Sequence, residues 1–74
     1  MSKSIIVSRV VFISEMARQN ITCEELSQKA NVGRAAVWKM RNSKPVWRTT
    51  ANHVASALGV SLESLLDDEQ DSSH

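Results

Sequence analysis

Apolar residues recur along this chain in small groups set at helical spacing. Over residues 5–19, Ile6, Val10, Ile13 and Ala17 fall within roughly one 60° stripe at 100° per residue, with Ile5, Phe12 and Met16 beside it. The pattern predicts a first helix over 5–19 that leaves Val7 and Val11 on its far side, surplus to a core. Ile5, Ile6, Val7, Val10, Val11 and Ile13 are β-branched, so a strand is the competing reading. Strand alternation would align Arg9 with Val7 and Val11 and produce no clean polar face, and the helix is preferred.

Asn20-Ile21 marks a break, and Thr22-Cys23-Glu24-Glu25 then reads as a capping box opening a helix of about eight residues, with Leu26 and Ala30 inward. Asn31-Val32-Gly33 interrupts it, Asn31 tolerating the left-handed backbone of a tight exit. A third helix over 34–42 places Val37 and Met40 on one side and stops at Ser43-Lys44-Pro45. Ala51, Val54, Ala55 and Leu58 give a fourth helix over about 49–58, closed by Gly59. Ser61 caps a short fifth helix carrying Leu62, Leu65 and Leu66. Residues 67–74 contain no apolar side chain and are expected to be disordered. The expectation is an all-α domain of five helices over 1–66, followed by an acidic tail over 67–74.

A length of 74 residues allows one small domain. The net charge of +1 conceals an uneven layout. Residues 1–62 hold all nine basic side chains and three acids, a charge of +6. The last twelve residues hold five acids and no base, a charge of −5. Cys23 is the only cysteine, which excludes an internal disulfide and a cysteine-based zinc site and suits a reducing, cytoplasmic setting. The longest apolar runs, 5–7 and 10–13, are too short to cross a membrane, and Arg9 interrupts any signal-like stretch. His53 and His74 lack ligand partners in sequence. No Ser/His/Asp arrangement or phosphate loop is present, so neither an enzyme, a small-molecule substrate, a metal nor a cofactor is expected.

Lys29, Arg34, Lys39, Arg41, Lys44 and Arg48 place six positive charges within residues 29–48, with no acid among them. An ordinary solvated surface normally mixes signs, so the run reads instead as the footprint of a polyanion. Two short helices flank a three-residue turn here. A small residue, Ser27, lies in the first helix, and Val32, Val37 and Met40 serve as apolar anchors. That is helix-turn-helix spacing, which presents the second helix to a DNA major groove.

Residues 21–66, and above all Ala57-Leu-Gly-Val-Ser-Leu-Glu-Ser-Leu-Leu66, resemble the Cro/repressor-type (XRE-like) helix-turn-helix family. Residues 22–42 alone also resemble the LacI-type headpiece, especially Asn31-Val-Gly-Arg-Ala-Ala-Val, but that family lacks a long helix before the motif. The Cro/repressor resemblance implies a lambda-repressor-like five-helix fold and a homodimeric regulator that binds double-stranded DNA at a palindromic operator, with repression as the leading role. Four positions depart from the family. Cys23 stands where Gln is usual. Met16 and Arg41 replace a usual Arg–Glu pair together, which leaves no unpaired buried charge and frees Arg41 for phosphate. Gly33 replaces a Ser or Thr cap.

On the second motif helix the outward positions are Arg34, Ala35, Trp38 and Lys39, the expected base readers; Arg34 can bond guanine O6 and N7, and Ala35 can touch a thymine methyl. Trp38 either packs on thymine methyls or folds back onto the loop of Trp47, itself expected to be structural or at a dimer contact. Thr22, Cys23 (weakly), Arg41, Asn42, Lys44, Arg48, Thr49 and Thr50 are the expected phosphate contacts. Leu62, Leu65 and Leu66, or Val7 and Val11, are the expected dimer interface. An antitoxin or protein-interaction module on the same fold is the alternative function.

Overall fold

The computed structural model describes residues 4–66; the acidic tail 67–74 lies outside them. Seven elements follow in order: β1 (Ser4–Ile5), α1 (Arg9–Gln19), α2 (Cys23–Ala30), α3 (Arg34–Arg41), β2 (Val46–Trp47), α4 (Arg48–Leu58) and α5 (Leu62–Leu65). The five expected helices are all present.

The N-terminal segment differs from the reading over 5–19. Residues 4–5 are extended and pair antiparallel with β2, with Ser4 opposite Trp47 and Ile5 opposite Val46. Val7 forms an isolated bridge with Leu66, the Ser8 amide donates to the Leu65 oxygen at 2.9 Å, and Ser43 Oγ donates to the Val7 oxygen at 3.1 Å. The β-branched run thus satisfies its backbone on partners far along the chain, which isolated helix geometry could not exploit. Helix α1 starts only at Arg9, with Ser8 as its cap.

The phase of α1 also differs from the expected stripe. Phe12 and Met16, four residues apart, enter the core, whereas Val10 is 74 % exposed and Ala17 lies outward. Val7, expected to be surplus, is fully buried. Apolar residues surround this stretch on every side, so periodicity leaves its rotation open, and packing chooses the large aromatic for the centre.

From Thr22 onward the expected punctuation holds. Thr22 Oγ1 accepts from the Glu25 amide at 3.1 Å while the Thr22 amide donates to Glu25 Oε1 at 2.9 Å, completing the capping box. Asn20 (φ 53°) and Asn31 (φ 59°) close α1 and α2 in the left-handed region, and Gly59 (φ 75°) closes α4. Helix α2 packs chiefly against α4 and α3. Leu26, Val37, Met40, Ala51 and Val54 are fully enclosed between these helices. Helix α5 inserts Leu62 and Leu65 beneath α4 and α1.

Candidate nucleic-acid interface

Helix α3 is held from behind. Val37 and Met40 have no exposed surface, and their burial fixes the rotation of the helix. Ser27 is buried on the facing side of α2, its hydroxyl donating to the Glu24 oxygen at 2.9 Å, and its small size lets α2 and α3 pack closely. Gly33 caps α3 in extended geometry without a side-chain bond. The opposite face of α3 presents Arg34, Ala35, Trp38 and Lys39, all exposed. Trp38 keeps 53 % of its surface exposed.

Two flanks border this face. On the first, Arg41 Nη1 donates to Cys23 Sγ at 3.4 Å, joining the end of α3 to the start of α2. Thr22 is occupied by its capping box, and Glu24 and Glu25 make that helix start acidic. Arg41 is therefore the cationic group on this flank. On the second flank, Ala36 and Lys39 share a shallow groove with Ser4, Pro45, Val46, Trp47 and Thr50. Helix α4 begins here with Arg48, Thr49 and Thr50, and neither a capping side chain nor an acid occupies its first turn. Uncapped amides at a basic helix start attract anions.

The remaining expected contacts divide. Lys44 and Arg48 are exposed. Asn42 is exposed too, but its side-chain amide donates to the Trp38 oxygen at 2.8 Å and closes α3. Thr49 and Thr50 part, Thr49 lining a hollow between α2 and α4 with Lys29, Asn52, His53 and Ser56. That hollow gives His53 no ligand partners, and no group of three metal-ligating side chains exists among the described residues. The one ion pair among the described residues joins Arg18 to Glu15 on α1, so the cations from Lys29 to Arg48 carry unneutralised charge within them.

Leu62 and Leu65, expected at a dimer interface, are a correction. Leu62 and Leu65 are 4 % and 1 % exposed inside the chain's own core, and Leu66 is half-buried at its bridge to Val7. A side chain enclosed within one chain has no surface left for another. Of the alternative pair, Val7 is buried, whereas Val11 is exposed on α1 beside Val10. Sequence reasoning did not place Trp47 beside the outward face of α3; its signal is the alternation of β2, which sends Val46 inward and Trp47 outward.

No helix among the described residues is long and apolar enough to cross a membrane. A family model described as a Cro/C1-type HTH DNA-binding domain matches residues 13–71. No curated protein and no solved structure matches the chain.

Proposed function

We propose that this chain, which belongs to the Cro/C1-type helix-turn-helix DNA-binding family, is a sequence-specific transcriptional regulator of the repressor kind. Helix α3 enters the major groove with Arg34, Ala35, Trp38 and Lys39 against base edges. Arg41, Lys44, Arg48 and Thr50, with the uncapped start of α4, hold phosphates on either side. One such unit makes few contacts, so a two-fold homodimer on a palindromic operator, with half-sites about one helical turn apart, is the arrangement that supplies specificity. The observation that carries the reading is the exposure of all four outward α3 side chains between Arg41 on one flank and the basic, uncapped start of α4 on the other.

Selection from random double-stranded DNA tests it and returns operator, symmetry and spacing together. A palindromic consensus supports the proposal. Enrichment of no sequence, or binding that ignores salt, overturns it, because phosphate binding makes log K fall linearly with log salt by about 0.9 per phosphate neutralised.

A further inference from the structure

Trp47 is 59 % exposed, although indole is among the costliest surfaces to leave in water. Its orientation is imposed. Val46 is buried, so the next residue of β2 must face outward, and its cross-strand neighbour Ser4 is too small to cover the ring. The backbone beneath it is held by pairing with β1 and by the turn into α4, for which Trp47 is the N-cap residue. The ring lies on the groove it shares with Lys39 of the outward α3 face and Thr50 of the uncapped α4 start. Lys39 is the charged residue lining that groove, and no acid lines it.

We propose that the Trp47 indole is a second, sequence-independent DNA contact, packing on the deoxyribose face of the backbone beside the groove entered by α3. This inference rests on the DNA-reading face proposed above. A phosphate bound at the start of α4 brings the adjoining sugar within reach of the ring. An amphipathic ring on a fixed backbone contributes contact area with little ordering cost. The contact is apolar, so it adds affinity without neutralising a phosphate. That separates it from every lysine and arginine of the site.

The test measures binding of the full chain to a short mixed-sequence duplex across a range of salt. W47A is expected to weaken binding roughly tenfold at every salt concentration. Its log K against log salt should run parallel to that of the unsubstituted chain, and W47F should fall between the two. In a W38F background, whose own affinity is measured first, emission from Trp47 should change as duplex is added. Unfolding of W47A is followed by circular dichroism to separate lost contact from lost fold. If the unsubstituted chain binds with the expected salt slope but W47A binds equally well, this inference alone fails. It also fails if Trp47 emission shifts with protein concentration in the absence of DNA, since a second copy then covers the ring. If the unsubstituted chain binds no duplex, both proposals fall.

Discussion

The Arg41 guanidinium donates to the thiol sulfur of Cys23 at 3.4 Å, where the end of α3 meets the start of α2. A thiol is a weak acceptor and carries little charge to offset the cation. The contact orients Arg41 while leaving its charge for phosphate. Arg41→Ala should therefore weaken binding to all DNA sequences alike and reduce the salt slope by about 0.9. Cys23→Ala should change affinity by no more than about twofold, since only a weak acceptor is lost. Salt titrations of the two variants check both statements; a larger effect from Cys23 than from Arg41 would reverse the assignment.

Arg34 and Lys44 carry equal charges in unequal positions, one at the start of the outward α3 face and one in the loop after it. Arg34→Ala should relax preference at one base position of a selected operator, costing about 1–3 kcal/mol of discrimination. Lys44→Ala should lower affinity evenly over all sequences. Competition binding against single-base operator variants separates the outcomes, and identical profiles would remove the distinction between reader and anchor.

The rotation of α1 is open to a stability measurement. Phe12 is fully buried and Val10 is 74 % exposed. Phe12→Ala should cost about 3–5 kcal/mol through lost burial and the cavity left behind. Val10→Ala should stay within about 0.5 kcal/mol. Urea denaturation of both variants gives the comparison; the opposite ranking would restore the stripe of Ile6, Val10, Ile13 and Ala17 as the core face.

Glu15 accepts hydrogen bonds from Arg18 and, at 2.8 Å, from Gln19 Nε2, which also donates to the Leu58 oxygen at 2.6 Å. Bonding from Arg18 first, and then from Gln19, holds the carboxyl below its ordinary value of 4.5. A carboxyl with a lowered folded-state pKa contributes stability above its unfolded pKa. That contribution is lost as pH falls through the folded value. Thermal melts should show the acid side of the stability profile, below pH 4.5, flattened in Glu15→Gln; an unchanged profile would assign acid sensitivity to other carboxylates.

Asp67, Asp68, Glu69 and Asp71 directly follow Leu66, which pairs with Val7, whose oxygen in turn accepts from Ser43 beside Lys44. The chain therefore leaves the described domain next to a cation of the proposed interface. We expect the acids to compete with DNA for that charge. Truncation after Leu66 should raise affinity for mixed-sequence DNA at low salt, with the gain fading as salt screens both interactions. Equal affinities at low salt would leave the acids without a role in binding.

The part of the fold legible in the sequence is the part written in local chemistry. Thr22 and Glu25 close their capping box over three residues. Asn31 and Gly59 supply left-handed exits, and Asn42 closes α3 ahead of Pro45. Burial of Val37 and Met40 follows from their spacing, and it dictates that Arg34, Ala35, Trp38 and Lys39 face outward. The outward face of α3 is legible in the sequence for that reason.

What the sequence could not supply depends on partners distant along the chain. Ser4 and Ile5 are extended because Val46 and Trp47 are there to pair with them. Val7 is buried because Leu66 and Ser43 meet it. Leu62 and Leu65 look like a free apolar edge in sequence, and only the fold encloses them beneath α4 and α1. Trp47 faces out because Val46 has the nearer claim on the core. By itself, the sequence determined the capping box of α2, the exits at Asn31 and Gly59 and the rotation of α3, because caps and helical spacing act within a few residues. Tertiary structure alone decided the rotation of α1, the β1–β2 pairing and the exposure of Trp47, because packing and strand pairing depend on contacts far apart in sequence.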